Sequence, residues 1–443
     1  MITSLDFVIE RLKKNNKEFA VVSNPSYVYP REDYYPLAEP RKSVTALKGA
    51  LMDMDGTTTT TEELCIYSLE QMVRRMSGKM LPEEWQGLDR QNDYSHIIGN
   101  STTKHVEYLV RKYENLLDEK FIRKEFLRAA LWTIQHGKDN TRKEEVSVNL
   151  KKMGLGNIIT KIEKEGIEPE NWEKYFDIGI SLSFSDKVSI GIDIYYMVYH
   201  QILGRLANES SAKVKQDLFG INADEKELIS PMPGISVLLP LLKGWLNSTD
   251  IEVLSRQVIQ EYRTGNFDAK NDYHLVDMLI KLSDQFKEKP VKLGLVTSSI
   301  FYEADIVIKQ VFRVIREFYH NSELSGNKKR FLIEQFSDYH NIYDAFVTAT
   351  DSSEIRLKPH RDLYSIALHK LGIMPENFDQ VIGFEDSQSG TVAIRAAGIG
   401  CCIAVPFAQT SSHNFEAAVH VLQGGIPQAL LEYNMFINQE KKK

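Results

Sequence analysis

Two aspartates one residue apart close an apolar run in the stretch ALMDMDGTTTTTEE (50–63), and five threonines, Thr57 to Thr61, follow them. Side chains alternate along an extended strand, so Asp53 and Asp55 would face one ligand if strand geometry persists that far. One role open to such a pair is nucleophile plus proton donor. One carboxylate can form a covalent aspartyl phosphate while its neighbour protonates the leaving oxygen. Gly56 frees the backbone to leave the strand, and Thr57 can fix the turn by a local hydrogen bond. An acidic turn with no chemical duty fits the same residues.

Three further apolar runs end in residues of the same chemical usefulness. VKLGLVTSS (291–299) delivers Thr297, Ser298 and Ser299, whose hydroxyls and amides could hold a phosphoryl oxygen or simply cap the next helix. RLKPH (356–360) sets Lys358 before a proline, which biases the lysine to extended geometry and opens a helix on its far side. Its ammonium could attract phosphate as a point charge, or lie on the surface. VIGFEDSQSG (381–390) ends in Glu385 and Asp386. Hard divalent cations take such oxygens, and Asp53, Asp386 and Glu385 could share one magnesium with a substrate phosphate. Acids at a helix N-terminus would also suit the helix dipole.

The elements that carry these residues have two grammars. From 61 to about 232 the chain has almost uninterrupted helical period, as in HVEYLVRKYENLLDEKFIRKEFLRAALWTIQ (105–135). After Pro290, short apolar runs alternate with helices: VKLGLVTSS, AFVTATD, QVIGFEDS and GCCIAVP. That pattern predicts a parallel sheet in a doubly wound α/β domain, which binds ligands beyond the carboxyl ends of its strands. A strand at 48–53 must join this sheet across the helical excursion. The expected organisation is an N-terminal extension (1–44), a discontinuous α/β core (45–60 with 232–443) and an inserted helical cap (61–231). Residues 4–16 read as an amphipathic helix, and the proline-bearing 24–43 as an extended arm outside the core.

A chain of 443 residues exceeds what one hydrophobic core usually serves, which agrees with two domains. Acidic residues outnumber basic ones, 61 to 54, and the two are interspersed, so no basic footprint for nucleic acid exists. Cys65, Cys401 and Cys402 have no disulfide or zinc spacing. The N-terminus has acidic residues within its apolar part, unlike a signal peptide, and no stretch reaches the about 18 apolar residues of a membrane span. A cytoplasmic enzyme without membrane or nucleic-acid partner is the expectation.

Taken together and in this order, DMDGT (53–57), VTSS (296–299), KP (358–359) and GFEDSQSG (383–390) resemble the four motifs of the haloacid dehalogenase-like hydrolase superfamily. The chain resembles in style the branch of beta-phosphoglucomutase and small-molecule phosphatases, whose helical cap lies between the first and second motifs. The resemblance covers residues 44–75 and 232–410, with the middle matched as a cap by position and helicity. It implies a Rossmann-like core and a Mg²⁺-dependent phosphatase of a small phosphorylated metabolite, with the cap closing over the site. Asp53 would be the nucleophile and Asp55 the acid/base. Thr297 and Lys358 would grip the phosphoryl group, with Gly56, Thr57 and Ser298 beside it. Asp386 and Glu385 would hold magnesium with Asp53 and the main-chain oxygen of Asp55. Gln86 and Arg90 resemble in spacing the phosphate-gripping cap loop of the mutase. The chain departs from the pattern in its threonine run, its long cap, the added sequence between Ser298 and Lys358, and its N-terminal extension. A phosphomutase uses the same residues, and a noncatalytic scaffold could keep the fold. Thr59 to Thr61 read as a flexible joint without chemical duty.

Overall fold

The structure is a computed structural model and describes residues 4–15, 18–24, 28–44, 46–89, 92–97, 102–158, 160, 164, 181–220, 227–265, 272–407 and 410–431. Its strands are β1 (Phe19–Ser23), β2 (Glu32–Pro36), β3 (Gly49–Asp53), β4 (Thr59–Thr60), β5 (Ser230–Pro231), β6 (Lys292–Val296), β7 (Ala345–Val347), β8 (Val381–Glu385), β9 (Cys401–Ala404) and β10 (His420–Val421).

Six of these form one sheet in the order β10-β9-β8-β3-β6-β7, and every pair in it is parallel. Parallel strands are covered on both faces, which is why β3 and β8 are buried at every position and read as unbroken apolar runs. Numbered along the chain within this sheet, the order is 3-2-1-4-5-6, that of a doubly wound α/β fold. The order reverses between β3 and β8. Helices cannot fill the crevice beyond the carboxyl ends of that pair, because the connections leave it in opposite directions. Asp53 ends one of these strands and Glu385 the other.

The chain divides into two compact units, residues 1–61 with 229–443, and residues 62–228. The second unit is helical. Its helices Glu62–Ser77, Thr102–Lys112, Glu119–His136 and Phe184–Leu206 pack through Leu69, Met72, Val106, Phe126, Ile190 and Met197, all buried. Ser183 caps the longest of them in a reciprocal capping box with Asp186. No helix among the described residues is long and apolar enough to cross a membrane, and the three cysteines form no disulfide.

Two expectations need correction. The N-terminal segment is not an arm outside the core. β1 and β2 pair antiparallel as a hairpin, and Val22, Tyr35 and Leu37 pack on Ala396 of the helix Gln388–Ala396. The buried guanidinium of Arg395 fastens it, donating to Ala38 O at 2.8 Å, Ala417 O at 2.9 Å and Glu18 Oε2 at 2.7 Å. Five-residue strands with one or two inward positions carry too little alternation to be read beside several prolines. The threonine run is not a loose joint either. β4 pairs antiparallel with β5, Thr58 Oγ1 donates to Asp53 O at 2.6 Å, and Thr59 Oγ1 donates to Met54 O at 3.2 Å. Thr60 Oγ1 receives Ser230 N at 2.9 Å.

Replacing Arg395 by Met strips the donor from two carbonyls in buried surroundings, a loss of about 3 kcal/mol. The expected result is a lowered urea midpoint with faster amide exchange concentrated in residues 19–36.

Candidate active site

Asp53, Asp55, Thr297, Glu385 and Asp386 lie at a strand's carboxyl end or in the turn beyond it, and Lys358 follows β7 after two short 3-10 helices, Ala349–Asp351 and Glu354–Arg356. β3 carries Asp53, and the chain then turns through Met54 to Thr58, closed by Thr58 N and Thr59 N donating to Met54 O. Strand geometry therefore stops before Asp55, which reaches the site from the turn. Gly56 sits at φ +83°, and a Cβ there would lie 2.6 Å from Asp386 Oδ2. Only glycine permits both that conformation and that approach. Gly390 makes the same allowance on the other side of the crevice, since a Cβ would fall 1.7 Å from Glu385 Oε1.

Lys358 lies at the centre. Its side chain is 6% exposed, and its ammonium donates to Asp53 Oδ1, to Glu385 Oε1 at 2.7 Å and to Val296 O at 3.3 Å, with the Tyr364 ring centroid 5.2 Å away. The Lys358–Pro359 peptide is cis. The next helix begins at Asp362 rather than at Pro359; the intervening turn brings the ammonium inward. Burial opposes the charge on Lys358, but the carboxylates of Asp53 and Glu385 outweigh it and hold the ammonium protonated. Burial and the nearby Glu385 charge push the Asp53 carboxyl well above the ordinary range, against the pull of Lys358.

Glu385 is fully engaged. Oε1 accepts from Lys358 and from Tyr364 Oη at 3.3 Å, while Oε2 accepts from Ser387 N at 3.0 Å and Ser387 Oγ at 2.8 Å. Thr57 Oγ1 stands 3.5 Å from Asp386 Oδ1. Asp55 has a separate set of partners: Thr61 Oγ1 donates to its Oδ1 at 2.6 Å, and Thr297 Oγ1 and Ser299 Oγ donate to its Oδ2 at 3.1 and 3.2 Å. Burial raises the Asp55 pKa, and these hydroxyls restrain the rise. Two carboxylates one residue apart thus meet different chemistry. Asp53 faces a cation, and Asp55 faces a ring of hydroxyl donors.

Ligand oxygens of Asp53, Glu385 and Asp386 lie within 4.8 Å of one another, all three residues being buried. The donor set is all carboxylate, which suits a hard divalent cation such as Mg²⁺. Three buried acids against one ammonium leave excess negative charge that such a cation would balance. The Asp55 carboxylate is not in this group, being turned toward its hydroxyl donors.

Sequence reasoning did not single out Tyr364, gave Thr61 no chemical duty, and offered Ser299 only as a phosphoryl holder or cap, not as a partner of Asp55. Ser298 is exposed, and its neighbour Ser299 makes the inward bond. Thr61 is the last of a run whose bonding depends on the turn, and Tyr364 comes six residues after Lys358 on a helix whose phase the turn decides. Gln86 is exposed, and Arg90 lies outside the described residues.

No family model matches the chain. A stretch of 100 residues, 23% of this chain, is 36% identical to "Putative phosphatase YhcW" of Bacillus subtilis (strain 168), and spans 40% of the length of that protein. CbbY from Rhodobacter sphaeroides, in complex with phosphate, is similar over 87% of this chain and 99% of its own at 14% identity and a TM-score of 0.41. Beta-phosphoglucomutase (pgmB) from Clostridium difficile is similar over 86% and 92%, at 13% identity and a TM-score of 0.35. A HAD family hydrolase from Deinococcus radiodurans R1 with bound phosphate and sodium is similar over 88% and 99%, at 12% identity and a TM-score of 0.37.

One ionisable group behind the lysine turn sets a pH dependence. His360 is buried, and burial first, then Arg356, lowers its pKa below 6.5, while Asp33 and Asp362 oppose the shift. The unfolded chain binds the proton more readily, so stability falls as pH drops from about 6.5 through the depressed folded value. Urea unfolding across that window is expected to show this slope, and His360→Gln to remove it.

Proposed function

We propose that this chain, whose motifs resemble those of haloacid dehalogenase-like hydrolases, is a magnesium-dependent phosphatase of a small phosphorylated metabolite, working through an aspartyl phosphate. The observation that carries the reading is the pair of acids with unlike surroundings at the end of β3. Asp53 lies against the Lys358 ammonium, and Asp55 lies beneath Thr61, Thr297 and Ser299.

Asp53 attacks phosphorus in line with the leaving oxygen, forming the carboxyl–phosphate bond as the ester bond breaks. Asp55 gives its proton to the departing alcohol; burial, by raising its pKa, keeps that proton available. Asp55 then takes a proton from water, which attacks the aspartyl phosphate and frees inorganic phosphate. Lys358, kept charged, faces the oxygens of the transferring group and offsets their charge. Thr297 can turn its hydroxyl from Asp55 to a phosphoryl oxygen. Bound by Asp53, Asp386 and Glu385, magnesium would neutralise further negative charge on the phosphate. Because Glu385 Oε1 already accepts from Lys358, its first duty is to orient that ammonium. The reading carries with it a cytoplasmic location and no nucleic-acid or membrane partner.

Asp53→Asn is expected to lower phosphate release at least about 10³-fold across a panel of phosphorylated metabolites with magnesium. Equal rates in variant and parent would refute the nucleophile. With beta-glucose 1-phosphate in the panel, free phosphate marks the phosphatase, and appearance of the 6-phosphate would replace it with a mutase.

Asp55→Asn separates the half-reactions. An aryl phosphate has a leaving group that needs no proton, so the variant is expected to release one equivalent of phenol rapidly. Steady turnover then falls about 10²- to 10⁴-fold for want of the base. A variant that turns over without a burst and at the parental rate contradicts the assignment.

A further inference from the structure

The N-terminal hairpin touches the turn that carries Lys358. Tyr35 Oη lies 2.8 Å from His360 Nδ1, and the two rings meet edge-on with centroids 5.7 Å apart. Arg356 donates through Nη1 to Asp33 Oδ2 at 3.0 Å, and through Nε and Nη2 to Asp362 at 3.0 and 2.9 Å. Asp33 Oδ2 also stands 3.7 Å from His360 Nδ1. Arg356 and Arg361 place their guanidinium groups 6.0 and 5.8 Å from the Tyr35 ring. Lys358 is thus flanked two residues before and two residues after by side chains that β2 holds. His360 and Tyr35 are 4% and 7% exposed, so the contact is a packed one.

We infer that β2 is a positioning element for Lys358: Asp33 and Tyr35 fix both shoulders of the turn 356–360 and so determine where its ammonium points. The inference rests on the reading of Lys358 as the group that grips the phosphoryl oxygens. The geometry favours it over simple attachment of the hairpin, because attachment is already supplied elsewhere. Val22 and Leu37 pack with Ala396, Arg395 holds Ala38 and Glu18, and Arg41 N donates to Gly400 O at 3.0 Å. Asp33 and the Tyr35 hydroxyl add polar contacts directed at one turn. A lysine side chain has four rotatable carbons, and an ammonium displaced by about 1 Å loses much of its effect on a bound anion. Pinning the backbone on either side removes that freedom.

The test measures orthovanadate affinity by calorimetry with magnesium, and phosphatase kcat and KM beside it. Tyr35→Phe keeps the ring and removes the hydroxyl; Asp33→Asn keeps the shape and removes the charge. The pair together is expected to weaken vanadate binding and lower kcat about fivefold, with the thermal midpoint near that of the parent. In a Lys358→Met background the same pair is expected to cost nothing further, whereas in a Thr297→Val background its full cost persists. A general loosening of the fold would give equal costs in all three backgrounds, and that result overturns the inference. Lys358→Arg serves the same cycle if Lys358→Met does not fold. Vanadate binding unchanged by loss of Lys358 would sink the phosphoryl-gripping reading instead. Weakened binding in the Lys358 variant, with none in the hairpin pair, overturns the positioning role alone.

Discussion

The site depends on one buried ammonium shared by two carboxylates. Lys358 meets Asp53 from β3 and Glu385 from β8, the neighbouring strands at which the sheet order reverses. Each charge would be costly alone in these surroundings, since desolvation of an unpaired ion outweighs most single contacts. The three are tolerable only together, and only while the strands keep their register. That mutual need is an electrostatic reason for the Lys358 turn to reach back across the crevice. The Tyr364 ring and hydroxyl complete the enclosure.

Close approach is the second constraint. The turn after β3 comes so near the Asp386 carboxylate that Gly56 lacks room for a side chain, and where β8 passes into its helix Gly390 leaves room for the Glu385 carboxylate. These clearances let acids from different strands share one point in space. Ser387 shows how the same few residues serve twice. Its hydroxyl accepts Gly390 N at 3.1 Å as a helix cap and donates to Glu385, so the start of the helix also aims the carboxylate.

Much of this could be read from the amino acids in advance. Buried parallel strands announce themselves as short apolar runs, and a polar cluster at the end of each marks the edge where a ligand sits; Asp53, Thr297, Glu385 and Asp386 all followed from that rule. What escaped was whatever depends on turn geometry or on weak alternation. The parity of a strand does not carry past its last residue, so the bond from Ser299 to Asp55 was not foreseen, and Thr61 bonds Asp55 through a turn that no periodicity describes. The pairing of β1 with β2 was hidden because a short hairpin is stabilised by what it packs on, here the helix Gln388–Ala396 and the turn 356–360. Its Tyr35 and Asp33 look like any other polar residues among prolines until their partners, more than 300 positions away, are known.

The two-residue ribbon of β4 with β5 has a further implication. It clamps Thr59 to Pro231 and Thr60 to Ser230, so the chain departs from the sheet-bearing unit and re-enters it at neighbouring strand positions, about 5 Å apart. Because the exit and entry are stitched to each other, the sheet has no structural stake in the size of the excursion between them. Such a port accepts exchange: lineages or engineers can lengthen, shorten or transplant the inserted helices while the sheet keeps its own foundations.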